Sequence, residues 1–289
     1  MSDNLSFVEP PFNYTGSKYR LLSQLIPLFD KQKTRFVDLF SGGGSVWTNV
    51  IQDYGGIVVN DIIADLIEVQ RKLILETAVT ISITKGHAVA KDDPEAYGNL
   101  RASYNASPTP EKLWALMMCC TNNMMRFNQS LKFNQTFGKR TFNAKTEEKA
   151  KVWARHLRKH LDKITFSSVD FAKTEINPQT FCYIDPPYSN TEAGYNAYWA
   201  KDDDLRLADF CNAVHSLGAT FCVSGTLIHD GESCRLIDHL IEDGFQRIDL
   251  NHNYNKVSRR GNKDTQEVVI VNYTPVISPP PKEDVLFPV

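Results

Sequence analysis

The stretch RFVDLFSGGGSVWTNVI, residues 35–51, decides the fold: a β-rich run passes straight into Ser41-Gly42-Gly43-Gly44-Ser45 and then into a helix-compatible segment. A glycine turn at the end of a first strand lets backbone amides approach a ligand where open α/β sheets bind their cofactors. The next run, GIVVND at 56–61, ends on Asp61, placed to grip ribose hydroxyls. The turn is not G-x-G-x-x-G, so a pyrophosphate is not implied, and a purely structural turn is an equal reading. Further β-rich runs follow at 163–170, 180–185 and 219–224. Helix-like segments at 18–29, 62–77, 146–161, 201–217 and 232–243 separate the strands. Strands alternating with helices make a mostly parallel sheet covered on both faces, an α/β fold. The last two runs, 245–254 and 266–273, are joined by a loop without an obvious helix and are expected to form an antiparallel edge pair.

The chain has 289 residues, 23% charged and 42% apolar, a composition that excludes collagen-like and largely disordered proteins. No apolar run approaches the roughly 18 residues that span a bilayer. MSDNLSFVEPPF, residues 1–12, has neither the basic start nor the apolar core of a secretory leader, so a soluble cytoplasmic protein is expected. The six cysteines are scattered without C-x-x-C and read as reduced, buried thiols. His156 and His160 stand four apart, but the stretch between them is basic and bears no carboxylate, so no metal site is expected.

The net charge of −2 hides an asymmetry. Residues 112–163 hold twelve basic side chains against three acidic ones, and 251–263 adds four more without an acid, Arg259 and Arg260 among them. A solvated helix face is the ordinary reading of such a run. The company of the charges points elsewhere: Arg126-Phe127-Asn128, Lys132-Phe133-Asn134 and Thr141-Phe142-Asn143 repeat one pattern beside Lys139 and Arg140. Basic side chains can neutralise phosphates or fork onto guanine, Asn can pair with adenine, and Phe can wedge between bases. A hairpin with inward-facing Phe residues accounts for the same letters, and one hairpin can do both. The strand–helix alternation lapses over this interval, which reads as a mainly helical inserted domain with a β-hairpin at 64–162. The flanking parts, 1–63 and 163–275, form the α/β domain, and 276–289 is a proline-rich tail.

Asp185-Pro186-Pro187-Tyr188 follows the apolar run FCYI. Two prolines end the ladder and stiffen the backbone. They fix a carboxylate, the Pro186 carbonyl and an aromatic ring at the strand's carboxyl end, a set that suits a planar group bearing an exocyclic amine. As an isolated tetrapeptide it could be a turn.

Taken in order, Asn13-Tyr14-Thr15-Gly16-Ser17-Lys18, Asp38-Leu39-Phe40-Ser41-Gly42-Gly43-Gly44, Asn60-Asp61, the basic insert and Asp185-Pro186-Pro187-Tyr188 resemble the Dam-type (D12 class, alpha-group) DNA adenine-N6 methyltransferases. The likeness extends over 11–273, with Tyr14 where a Trp is expected. It implies a Rossmann-like methyltransferase sheet and S-adenosylmethionine as cofactor. Tyr14, Lys18, Asp61 and Asp185 would then contact the cofactor, and Asp38 with the Gly42, Gly43 and Gly44 backbone would border its methionine part. Asp170 would either approach its adenine or cap the end of its strand. Asp185, Pro186 and Tyr188 would be catalytic: Tyr188 stacks on a flipped adenine while Asp185 and the Pro186 carbonyl accept the two N6 hydrogens. Arg126, Asn128, Lys132, Asn134, Lys139, Arg140, Arg259 and Arg260 would face double-stranded DNA, at a short palindrome such as GATC. The resemblance also suggests a cognate restriction endonuclease, and a monomer at the nucleoid is expected. Cytosine-N4 methylation and a catalytically silent DNA binder remain alternatives.

Overall fold

The computed structural model of the protein describes residues 7–14, 16–187, 199–200, 202–229, 232–250 and 266–276. Seven of the nine strands among the described residues form one sheet. They are β1 (Arg35–Asp38), β2 (Gly56–Asn60), β3 (Ile164–Ser167), β4 (Thr180–Ile184), β5 (Thr220–Thr226), β8 (Gln246–Asp249) and β9 (Glu267–Val271), in the order β3-β2-β1-β4-β5-β9-β8. Strands β6 (Ile228–His229) and β7 (Glu232–Ser233) make a separate small pair. The pairings β1–β2, β1–β4, β2–β3 and β4–β5 are parallel, whereas β9 runs antiparallel to both β5 and β8. The antiparallel edge pair expected from the loop connection is present, with the reversed strand β9 inside and β8 at the rim. Every residue of β4 and β9 is buried, and β8 is mostly exposed, as their interior and edge positions require.

Strand order reverses between β1 and β4. Open α/β sheets leave a crevice at the carboxyl ends of strands at such a point. The register pairs Asp38 with Val59 on one side and with Tyr183 on the other. The glycine turn after β1, Asp61 after β2 and Asp185 after β4 therefore emerge on one rim.

The helices are α1 (Leu22–Leu25), α2 (Trp47–Val50), α3 (Ala64–Leu75), α4 (Thr77–Gly86), α5 (Pro94–Ala106), α6 (Pro110–Cys119), α7 (Ala144–Arg158), α8 (Asp203–Ser216) and α9 (Arg235–Glu242). The 18–29 segment is broken into short turns around α1, where Pro27 removes a backbone donor. Helices α5 and α6 begin with Asp93 and Thr109 as side-chain caps and proline just inside. Asn143 caps α7 by accepting from the Thr146 N–H at 3.1 Å.

Alternate residues along each strand feed opposite faces of the sheet. Val37, Cys182, Ile184, Phe221, Val268 and Ile270 pack with α8 and α9. Phe36, Val59, Phe181, Tyr183, Val269 and Val271 belong to a second cluster that continues without interruption into Trp114, Phe133, Trp153 and Leu157 of the 64–162 interval. The expected hairpin of that interval is closed by two isolated antiparallel bridges, Phe127–Phe133 and Cys120–Phe137. The Asn128 side-chain oxygen accepts from the Ser130 and Lys132 N–H groups, both at 3.0 Å, and turns the chain. Phe127, Phe133 and Phe142 point inward and are buried. All six cysteines are free and buried, and burial pushes the Cys182 thiol up to about 12. Among the described residues no helix is long and apolar enough to cross a membrane.

Candidate active site

The rim at the strand reversal gathers Lys18, Asp38, Asp61 and Asp185. Asp185 leaves β4 on the stiff Pro186-Pro187 backbone, and its carboxylate accepts from Lys18 Nζ at 2.8 Å to Oδ1 and 3.0 Å to Oδ2. Lys18 is only 6% exposed and Asp185 18%. The ion pair joins the N-terminal motif to the β4 motif across 167 residues of chain. The Ser224 hydroxyl, within β5, donates to Asp185 Oδ1 at 3.0 Å and lies 2.8 Å from the Tyr183 hydroxyl. The carboxylate is thus clamped by a cation and by a buried hydroxyl chain. Tyr183 titrates well above its ordinary range, first through burial and then through the charge of Asp185.

The glycine turn is built by steric demand. A Cβ at Gly42 would meet Tyr14 Cε1 at 2.9 Å, and one at Gly43 would meet Tyr14 Cβ at 2.8 Å. Gly44 has a φ of +84°, and a Cβ there would stand 2.8 Å from Trp47 Nε1. The Tyr14 ring therefore lies against the turn. Asp61 pins the turn from below: its Oδ2 accepts from the Gly42 N–H and its Oδ1 from the Ile63 N–H, both at 3.0 Å. Gln70 Nε2 donates to the Gly42 carbonyl at 2.9 Å.

Asp38 is 1% exposed; its Oδ2 accepts from the Trp47 N–H at 3.3 Å, and its Oδ1 has no partner among the described residues. Burial, followed by the neighbouring charge of Asp185, holds the Asp38 carboxyl well above the usual carboxylate range. Burial also pushes Asp61 up to about 6, against the lowering effect of its two backbone donors.

This set fits S-adenosylmethionine. Three carboxylates, Asp38, Asp61 and Asp185, gather at one rim, which suits a ligand carrying an ammonium and a sulfonium. The unpartnered Asp38 Oδ1 offers an acceptor beside the tightly packed glycine turn. Tyr14, Lys18, Asp61 and Asp185 stand together as the sequence expects, with Asp38, Gly42, Gly43 and Gly44 at the same rim. Asp170 is turned to other partners. It accepts from the Ala172 N–H at 3.0 Å, capping a short 3-10 turn, and pairs with Arg206 at 2.9 Å. Among the described residues no cluster of three metal-ligating side chains exists.

Sequence reasoning missed Ser224, Tyr183 and Gln70. The place of Ser224 beside Asp185 depends on the β4–β5 pairing, which no motif spells out.

In the basic segment, Arg126, Asn128, Lys132, Lys139 and Arg140 are exposed and Asn134 is half-buried. Asn128 is engaged in its turn, and Lys132 Nζ donates to the Asn105 carbonyl at 2.7 Å. Other charges of the run serve the fold: Lys149 pairs with Glu9, Lys151 with Glu147, and Arg158 grips the Ile74 carbonyl. Tyr188, Arg259, Arg260 and the 277–289 part of the tail lie outside the described residues. Leu131, which the motif reading passed over, is 51% exposed at the tip of the turn.

Comparison with known proteins places the chain in a family. A family model described as D12 class N6 adenine-specific DNA methyltransferase matches residues 14–256. The modification methylase StsI of Streptococcus sanguinis is 30% identical, over 94% of this chain and 44% of that protein. The type II methyltransferase M.FokI of Planomicrobium okeanokoites is 27% identical over 93% of this chain and 43% of its own length. The modification methylase LlaI of Lactococcus lactis subsp. lactis is 27% identical over 93% and 44%. The chain thus spans less than half the length of these relatives.

Proposed function

The chain belongs to the D12 class N6 adenine-specific DNA methyltransferases, and from that premise we propose that it methylates adenine N6 in double-stranded DNA with S-adenosylmethionine as donor. One observation carries the reading. The Asp185 carboxylate, with the Pro186 carbonyl next to it in the chain, is fixed at the carboxyl end of β4 on the same rim as the glycine turn.

The cofactor supplies an electrophilic methyl group, and the protein's task is to present the amine. A bulky sulfonium cannot reach N6 inside a duplex, so the base leaves the stack at a cost of a few kcal/mol. Tyr188 stacks on it, and the Asp185 and Pro186 oxygens accept its two N6 hydrogens. That pair draws the nitrogen lone pair out of the ring system and toward the methyl group. Positive charge develops on N6 as the bond forms, and an Asp185 carboxylate already clamped by Lys18 and Ser224 stabilises it without reorganising. The proton then leaves N6 toward the Asp185 carboxylate.

The functional division we propose sets 1–63 and 163–275 as the catalytic part and 64–162 as the recognition part, acting as a monomer in the cytoplasm and at the nucleoid. Arg126, Asn128, Lys132, Asn134, Lys139 and Arg140 in that insert, with Arg259 and Arg260, would contact DNA. GATC is the first target sequence to test. The names of the relatives, modification methylases and a type II methyltransferase, support a restriction endonuclease as the partner activity.

The test is transfer of labelled methyl from S-adenosylmethionine to unmethylated duplex DNA, followed by nucleoside analysis and site mapping. Label in N6-methyladenine at one short sequence is the expected result. Label in N4-methylcytosine would change the base, and none would leave a silent DNA binder. Asp185→Ala is expected to lower transfer at least about 100-fold, the scale of one lost electrostatic partner, while DNA affinity stays near wild type. Near-normal turnover in that variant would refute the mechanism.

A further inference from the structure

Four separated pieces of chain line a half-open cavity of about 160 Å³. Its charged lining is entirely basic, Lys91, Lys139 and Arg140, joined by the amides of Asn13, Asn123 and Asn143. Lys91 comes from the loop between α4 and α5, a region no motif marks. Lys91 and Lys139 have no carboxylate partner among the described residues.

The cavity is built rather than incidental. Asn123 is 6% exposed, and its amide ties three walls together. Its nitrogen donates to the Met117 carbonyl at 3.1 Å, while its oxygen accepts from Asn13 Nδ2 at 3.1 Å and from Arg140 Nη1 at 2.7 Å, the orientation that satisfies every partner. Backbone strain gathers here as well. Asn122, Asn123 and Lys139 adopt φ of 57°, 54° and 53°, three of the four non-glycine residues with positive φ among the described residues. Such conformations persist where the surroundings over-determine them, and they cluster at ligand sites.

We propose that this cavity seats a single phosphate of the DNA strand carrying the target base, an assignment that rests on the DNA-methyltransferase reading above. Three cations and no acid select a compact anion, and the exposed basic hairpin that supplies Lys139 and Arg140 continues outward from it. Asn13 precedes Tyr14, whose ring lies on the glycine turn, so a phosphate held here anchors the strand next to the cleft that receives the base. Contacts of this kind set register without reading sequence.

Lys91 is the discriminating probe, because it is exposed and supports no described contact. Binding of the full chain to duplex DNA of mixed sequence is measured against salt for wild type, Lys91→Ala, Lys91→Arg and Arg140→Ala. Lys91→Ala is expected to weaken binding by up to about tenfold on all sequences alike and to reduce the slope of log K against log salt by about 1, with Lys91→Arg restoring both. Unchanged affinity and slope in Lys91→Ala would overturn the proposal. So would loss of affinity at one sequence alone, which marks a base contact. Inorganic phosphate titrated alone separates the sources: saturable binding lost in Lys91→Ala while DNA binding is unaffected would make this a free-anion site and sink the DNA assignment. These readouts need no methyl transfer, so a wild-type chain that binds DNA without methylating it would fail the function proposed above and leave the cavity's test intact.

Discussion

At the scale of single residues, the Asp185 clamp and the Asp61 pin make separate predictions. Ser224 contributes a hydrogen bond to a charged group, worth about 1.5–3 kcal/mol, and it orients the carboxylate without reaching the substrate. Ser224→Ala should therefore lower kcat about tenfold or more while the KM for S-adenosylmethionine holds, and Ser224→Thr should recover most of the loss; steady-state kinetics of the three proteins decide this. Equal changes in kcat and KM would remove Ser224 from the positioning role. Asp61 turns on pH. Its ordinary value of about 4 is pushed up to about 6 by burial. A raised carboxyl stabilises the fold below the lower value, and that contribution is lost as pH rises through the upper one. Cofactor affinity has the opposite sign, because only the carboxylate gives ribose hydroxyls a full acceptor and attracts a cationic ligand. Affinity measured calorimetrically at pH 5, 6 and 7 should climb across that window, and Asp61→Asn should flatten the climb. A wild-type affinity that ignores pH would exclude Asp61 from the cofactor site.

At the scale of elements, Gly138 is the residue on which the insert's hairpin closes. An added Cβ would overlap the Cys120 carbonyl oxygen, a backbone atom that cannot swing aside. Gly138→Ala should cost about 1–3 kcal/mol, the usual range for overpacking, and weaken DNA binding with it. Gly98→Ala in α5 meets nothing within 4 Å and should be neutral or stabilising by up to about 1 kcal/mol. Thermal melts of the two variants give the contrast, and a harmless Gly138→Ala would show that the hairpin does not depend on that contact. The same elements show what the sequence could and could not tell. Strands buried on both faces announce themselves as apolar runs, because this signal is local. The glycine turn and the Asp185 motif could be read because each is a strand-end device whose residues are adjacent in the chain. Lys91 and Ser224 could not, since each gains its neighbours only through pairings and packing set by distant segments. Local charge does not tell which members of a basic run serve the fold: Lys149, Lys151 and Arg158 are spent on ion pairs and a helix-end carbonyl.

At the scale of the whole molecule, the inserted interval has no core of its own. The cluster that lines one face of the sheet runs through Trp47 and Phe12 into Trp114 and Trp153, without a polar seam between sheet and insert. Trp153 is the central stone of this arrangement. It is fully buried, its ring stands 5.7 Å from Trp47 and 5.6 Å from Phe12, and its Nε1 donates to Thr48 Oγ1 at 2.9 Å. Thr48 belongs to α2, the helix that follows the glycine turn, so the same side chain couples the 64–162 interval to that turn. Continuity of this kind predicts one cooperative unfolding transition for both parts. Trp153→Ala should cost about 3–5 kcal/mol, as large aromatic truncations in cores do, and should lower the single melting temperature without splitting it. Hydrogen exchange of α5 and α6 in the insert, followed beside that of β4 and β5 in the sheet, would report the two parts separately. Matched loss of protection in both is the expected outcome. An insert that opens while the sheet stays protected would mean that the charged segment is an independent reader, carried by the catalytic part instead of being folded into it.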